Sequence, residues 1–245
     1  MCRMMLVKGN FESAINPLLS AFKEVCNNDP LNKEPDGSVY SHPDGWGYVN
    51  IHDNIEYGRY AKPVFNSNGP EVHEGLFMLH ARKTSTGEPV GVGFVHPFHA
   101  FDAESEYWLS HNGDFDKARI AEYLGVQVPV GESDTQVFLD LLMRQPGNAR
   151  NKLYHAIKVV NDLKAIKSIA NIFLVSYNRI SEEKEGLAYT DAAEGTQYGE
   201  NSKLYSSGST KMRLIFSSSV AFSRHFRDLD FQAIEKIPRG KIVEI

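Results

Sequence analysis

Ile15, Leu18, Leu19, Phe22 and Cys26 recur at intervals of three and four residues. That spacing puts them on one face of a helix, and it predicts a helix over 13–26. The turn-forming run Asn27-Asn28-Asp29-Pro30 closes it. Before the helix, an apolar stretch over 2–7 reads as a strand. After it come short strand-like runs separated by turns, at 46–51 and 55–60, which flank Asp53-Asn54 as a hairpin. Further strands are predicted at 76–81 and 107–110. The period then lengthens, predicting helices at 116–124, 134–143 and about 148–163, with Ser133-Asp134-Thr135-Gln136 fitting a capping box at the start of the second. Strand patterns return at 172–176, 187–189, 204–207, 214–217 and 241–245. Strands, then helices, then strands predict an α+β fold of two sheets with helices outside, not an alternating parallel one. Neither an internal repeat nor a low-complexity tract interrupts the chain, so 1–245 reads as a single domain.

Composition narrows the class of function. An apolar fraction of 42% over 245 residues is enough for a sizeable core. Lys and Arg number 26 against 31 Asp and Glu, a net charge of -5 that offers no basic footprint for nucleic acid. No apolar run approaches the ~20 residues of a membrane span, and residues 1–8 lack the apolar core of a signal peptide. A cytoplasmic chain whose two cysteines, Cys2 and Cys26, are reduced is the expectation.

Four places carry candidate chemistry. Cys2 follows the initiating methionine. A thiol with a pKa of about 8.5 needs a base, and removal of Met1 would give Cys2 an α-amine of pKa about 7.7–8.0 on the same residue. In His80-Ala81-Arg82-Lys83-Thr84-Ser85-Thr86-Gly87, an apolar strand runs into an arginine fork suited to a carboxylate, then a turn rich in hydroxyls and backbone N–H groups. In His111-Asn112-Gly113, the Asn side chain and a backbone N–H at glycine could both point at an oxyanion. Asp134 could hold an ammonium. Taken singly, each has a plainer reading: an incidental cysteine, a surface arginine, an Asn-Gly hairpin turn and a helix cap.

The ordered set, Cys2, His-x-Arg-x-x-Ser-x-Gly, His-Asn-Gly and Ser-Asp-Thr, resembles the class II glutamine amidotransferases of the N-terminal nucleophile hydrolase superfamily over roughly the first half of the chain. His42-Pro43-Asp44-Gly45-Trp46-Gly47 and His96-Pro97-Phe98 are similar to the family's stand-alone members. The resemblance implies a four-layer αββα sandwich of two mainly antiparallel sheets. It implies Cys2 as nucleophile with its amine as base, and Asn112 and Gly113 as oxyanion donors. Arg82 would bind the substrate α-carboxylate, with Ser85, Thr86 and Gly87 in the adjoining turn, and Asp134 would bind the α-ammonium. Lys83 and Thr86 stand where fused members often carry Trp and His, which alters the pocket and not the core chemistry. The implied activity is cleavage of the γ-amide of glutamine or of a γ-glutamyl compound through a thioester, as a hydrolase or transferase, with no cofactor and no metal. The substrate is a small molecule, and any ammonia acceptor would bind a partner such as a synthase subunit; neither nucleic acid nor membrane is expected.

Two rivals differ in class. A metal hydrolase could draw on His80, His96, His99 and His111, although Pro97 argues against a helix presenting two ligands one turn apart. A non-catalytic glutamine-binding or regulatory subunit would keep Arg82 and Asp134 and have little use for Cys2. Cys26 reads as a buried helix residue, Trp46 and Trp108 as core or pocket wall, and 181–185 as a solvated loop.

Overall fold

A computed structural model of the chain describes residues 1–85 and 87–245. The elements run β1 (Arg3–Asn10), α1 (Ile15–Asn27), β2 (Trp46–Ile51), β3 (Ile55–Tyr60), β4 (Glu74–Ala81), β5 (Phe98–Phe101) and β6 (Ser105–Phe115). Then come α2 (Lys117–Leu124), α3 (Asp134–Met143), α4 (Ala149–Asp162), β7 (Ile166–Asn178) and β8 (Lys184–Ala192). The chain finishes with β9 (Leu204–Gly208), β10 (Met212–Ser217), α5 (Arg224–Arg227), β11 (Glu235–Lys236) and β12 (Ile242–Glu244). They form an α+β fold of two antiparallel sheets. None of the described helices is long and apolar enough to cross a membrane.

The backbone divides into two compact units. The first comprises residues 1–97, 199–237 and 245. Its seven-stranded sheet has the order β11-β9-β10-β1-β4-β2-β3, so β1 is the middle strand. β1 pairs with β10 through Met5↔Phe216 and with β4 through Met5↔Leu79. Alternate residues, Met5 and Val7 on β1, Phe77 and Leu79 on β4, Leu214 and Phe216 on β10, form one apolar face. Against it lies the stripe Ile15, Leu18, Leu19, Phe22 and Cys26 of α1. The period-3.6 pattern is therefore the packing face, and the helix bounds shift by one or two residues because Ala14, which caps with no side-chain bond, starts it later.

The second unit comprises residues 98–198 and 238–244. Its sheet has the order β12-β8-β7-β6-β5. Leu109, Ile172, Leu174 and Leu187 from the sheet pack with Phe138, Leu142, Leu153 and Ile157 from α3 and α4. Asp116, Ser133 and Asn148 cap α2, α3 and α4 with side-chain acceptors. The capping box at 133–136 is only half made. Ser133 Oγ accepts from Thr135 N at 3.2 Å, but the Gln136 amide turns away to Asp140 at 3.3 Å.

The larger departure concerns His111-Asn112-Gly113. Instead of forming a hairpin turn, these residues lie inside β6, paired with β7 through Asn112↔Asn171 and Gly113↔Ala170. A bulge follows between Gly113 and Phe115. Gly113 has φ 153°, and a Cβ there would lie 1.7 Å from the carbonyl oxygen of Ile169. The neighbouring strand thus requires a glycine before any ligand does. Gly113→Ala is expected to destabilise the protein by roughly 2–5 kcal/mol, combining backbone strain with overpacking; the urea midpoint checks it.

Candidate active site

Sheet register places the candidates of the first unit. β1 and β4 pair last as Arg3↔Ala81, with Cys2 and Arg82 the next residues along the two strands. The Cys2 thiol is buried and points at the carbonyl oxygen of Lys83, 3.8 Å away. Burial pushes its pKa up, against the lowering influence of the terminal ammonium, the Lys83 backbone, Arg82 and Arg3. With Met1 attached, the Cys2 nitrogen is an amide and cannot take the thiol proton. The Met1 amine donates to the Tyr40 hydroxyl at 2.8 Å, and burial lowers its own pKa.

The segment that follows β4 is held by residues 44 and 45. The Asp44 carboxylate accepts from both the Thr84 N–H and the Thr84 hydroxyl, each at 2.8 Å. Backbone bonds Asp44 N–H to Arg82 O (3.1 Å) and Arg82 N–H to Gly45 O (2.8 Å) complete the clamp. Gly45 permits it: with φ 121°, its missing Cβ would meet Val95 Cγ2 at 2.4 Å. Arg82 is 8% exposed. Its Nη1 donates to Pro89 O at 2.9 Å, and its Nη2 lies 3.6 Å from Glu88 Oε2. The same Glu88 oxygen accepts from the Ser85 N–H at 3.0 Å. Lys83 reaches away to Glu34 at 2.7 Å, over the Tyr40 ring. Gly87 is exposed, and Thr86 lies outside the described residues.

Next to Cys2 sits a buried ionic cluster that local sequence patterns do not reveal. Arg3, Asp29, His42 and Ser219 are all fully buried. Asp29 Oδ2 accepts from Arg3 Nε at 2.7 Å, from His42 Nε2 at 2.9 Å and from Ser219 Oγ at 3.3 Å, and also pairs with Arg3 Nη2. Arg3 Nη1 donates to the Cys2 carbonyl at 2.9 Å. Burial would raise the Asp29 pKa, but the His42 hydrogen bond and the Arg3 charge hold it down to about 2. Burial lowers His42 to about 4, against the pull of Asp29. Folded His42 therefore stays neutral where an unfolded histidine, with a pKa near 6.5, is already protonated. The unfolded chain binds the extra proton in that window, so stability falls as pH drops from about 6.5 to about 4, by roughly 3 kcal/mol at 1.36 per unit. A smaller loss follows as Asp29 protonates between 3.8 and about 2. Urea midpoints near pH 7 and near pH 4 check this, and His42→Gln is expected to flatten the upper window.

The second unit holds the remaining candidates. Asn112 is buried on β6. Asp134 opens α3, where its carboxylate accepts from the Phe115 N–H at 2.8 Å and from its neighbour Thr135 N–H at 2.7 Å. That ties the end of β6, just past Gly113, to the start of α3, and leaves the Asp134 side chain 23% exposed. His111 Nδ1 lies 3.1 Å from the Thr135 hydroxyl and 3.9 Å from Asp134 Oδ2, with its ring stacked on Phe115. Burial lowers the His111 pKa, against the pull of Asp134 and Asp114. Asn112, Gly113 and Asp134 thus belong to one unit, and Cys2, Arg82 and Ser85 to the other.

The histidines of the metal reading are otherwise engaged. His96 Nδ1 lies 3.1 Å from His80 Nε2, and His99 pairs with Glu106. Among the described residues no group of three His, Cys, Asp or Glu side chains is placed to hold a metal ion.

No family model matches the sequence, and no curated protein matches it. Solved structures do match. The allosteric regulatory enzyme of purine biosynthesis superposes with a TM-score of 0.70 at 13% identity, over 100% of this chain and 47% of that one. Glutamine phosphoribosylpyrophosphate amidotransferase from B. subtilis, complexed with ADP and GMP, gives 0.66 at 13% identity with the same coverage. The likeness is one of fold: two antiparallel sheets with helices, shared with these two proteins. The chain spans about half the length of those two proteins. Residue type singles out Cys2, Arg82 and Asp134, whereas Glu88 and the Arg3–Asp29–His42 cluster carry no local sequence signal. Asp44 had appeared only as part of a motif, without the clamp it forms.

Proposed function

We propose that the chain is a glutamine amidotransferase-type amidohydrolase that cleaves the γ-amide of glutamine or of a γ-glutamyl compound. The observation that carries this reading is the placement of Cys2 immediately before the central strand, its thiol 3.8 Å from the Lys83 carbonyl and within electrostatic reach of Arg82. Arg82 beside it offers a charge-assisted fork to the α-carboxylate of an amino acid, and the fold agrees with that chemistry.

In this mechanism, removal of Met1 gives Cys2 a primary amine, which takes the thiol proton. The sulfur attacks the γ-carbonyl carbon, forming a C–S bond and an oxyanion. Asn112 and the Gly113 N–H stabilise the oxyanion, and Asp134 receives the α-ammonium; these roles rest on the sequence resemblance. The protonated amine passes its proton to the leaving nitrogen, the C–N bond breaks, and ammonia or an amine departs. Water then opens the γ-glutamyl thioester, releasing glutamate and restoring the thiol. Arg82 and Asp134 read the amino-acid head that glutamine, γ-glutamyl peptides and γ-glutamyl amines share, and the leaving group is read elsewhere. We take both units as one amidotransferase domain, cytoplasmic, with any ammonia acceptor on a partner subunit.

An electrophilic glutamine analogue tests this. The expected result is one equivalent bound at Cys2 in protein whose mass shows Met1 removed, and none in protein that retains Met1. Equal labelling of both forms would rule out the amine as base.

A further inference from the structure

The Arg82 fork already holds a carboxylate. Glu88 Oε2 lies 3.6 Å from Arg82 Nη2 and accepts the Ser85 N–H at 3.0 Å. The first of these two donors is the group that the proposed function gives to the substrate carboxylate, and the second lies in the turn that adjoins it. From the same strap, the Pro89 carbonyl accepts from Arg82 Nη1 at 2.9 Å, and the Phe94 ring lies 5.9 Å from the guanidinium carbon. The Arg82 side chain is left only 10% exposed, while that of Glu88 is 52% exposed.

We propose that Glu88 is an internal competitor: its carboxylate occupies the Arg82–Ser85 anion site when no ligand is present, and a substrate carboxylate must displace it. The geometry favours a displaceable plug over a structural tie. Residues 87–90, 92 and 93 are exposed. At Gly87, Gly91 and Gly93 an added Cβ would meet nothing within 4 Å, so the strap has little packing of its own there. Apart from short-range turn bonds, such as Glu88 N–H to Ser85 O at 3.1 Å and Phe94 N–H to Gly91 O at 3.0 Å, it is fastened by contacts with Arg82. A half-exposed ion pair is weak, so an amino-acid carboxylate that makes a bidentate pair with Arg82 can outcompete it. Asp44 holds the backbone at Thr84 independently of Glu88, so the donors stay in place when Glu88 leaves.

This inference rests on Arg82 as the carboxylate site, and the experiment separates the two. L-Glutamate binding is measured by calorimetry, and glutamine hydrolysis by ammonia release, on the full chain, on Glu88→Gln and on Glu88→Ala. Both variants are expected to bind L-glutamate about two- to fivefold more tightly and to lower KM by a similar factor with kcat unchanged. Unchanged or weaker binding in both variants, with turnover intact, overturns the competitor and leaves the amidohydrolase standing. Tightening in Glu88→Ala alone points to a loosened strap and also overturns the competitor. Absence of both binding and turnover in all three proteins removes the site itself, and Glu88's role with it.

Discussion

Cys2→Ala is expected to abolish hydrolysis of glutamine, by at least about a thousandfold in kcat, while the unfolding midpoint stays close to that of the parent protein. Truncating a nucleophile removes the bond that splits the reaction into two steps, and hydrogen-bond donors alone recover only a small part of that rate. The fold has less to lose. The thiol lies a long 3.8 Å from the Lys83 carbonyl, alanine keeps the Cβ, and β1 starts one residue later, at Arg3. Cys2→Ser is the sharper companion: it keeps the size and polarity but offers a far less acidic nucleophile, and it is expected to lose most of the rate. Both are compared at equal Met1 removal, read by mass spectrometry, since alanine and serine at position 2 permit the same cleavage. If Cys2→Ala kept its rate, the thiol would not be the nucleophile, and the arrangement around it would need another explanation.

The second large effect lies in stability. Asp29→Ala leaves Arg3 and its charge fully buried with no carboxylate, and loss of one partner of a buried pair typically costs about 3–5 kcal/mol. In a chain of this size that lowers the melting temperature by roughly 6–20 °C. Asp29 is the shared acceptor for Arg3, His42 and Ser219, so three donors lose their partner at once. Exchanging Arg3 and Asp29 together for apolar residues of similar volume is expected to recover much of the loss, because it removes the desolvated charge as well as the bond. That double variant also separates stability from positioning. Arg3 Nη1 holds the Cys2 carbonyl at 2.9 Å, so a restored melting temperature with depressed turnover would assign the cluster to orienting Cys2. Unchanged stability in Asp29→Ala would contradict the buried charge pair.

Where periodicity had a buried face to report, the sequence was legible. Helix 134–143 and strands 46–51 and 55–60 match α3, β2 and β3, and 148–163 differs from α4 only by its two caps. α3 repeats apolar residues along a buried face, β2 is buried almost throughout, and β3, with no buried residue, is marked only by its β-prone residue types beyond the Asp53-Asn54 turn. The long strands β6 and β7 were read short. Their ends, such as Asn112 opposite Asn171, pair polar residues inside the sheet, where no apolar period marks them. β5 and β11 are edge strands, and β11 has only two residues, too few to show a period. At the site, residue type pointed to Cys2, Arg82 and Asp134, because their chemistry is unusual at those positions. The carboxylate of Asp134 proved also to be a structural acceptor for the Phe115 N–H. Glu88 and Asp29 were invisible for a different reason: their significance lies in partners far off in sequence or across a turn, and an isolated acidic residue in a polar loop carries no such mark.

The strand order of the seven-stranded sheet has a consequence for biosynthesis. β1 is synthesised ahead of both its neighbours, yet it finds β4 only after some seventy residues and β10 only after some two hundred. Until that last partner arrives, one flank of β1 is an open edge with unpaired N–H and C=O groups, and such non-local pairing is slow to form. A nascent chain that stalls before β10 would therefore carry the Cys2 thiol beside an unfinished sheet, exposed to oxidants and to unintended strand pairing.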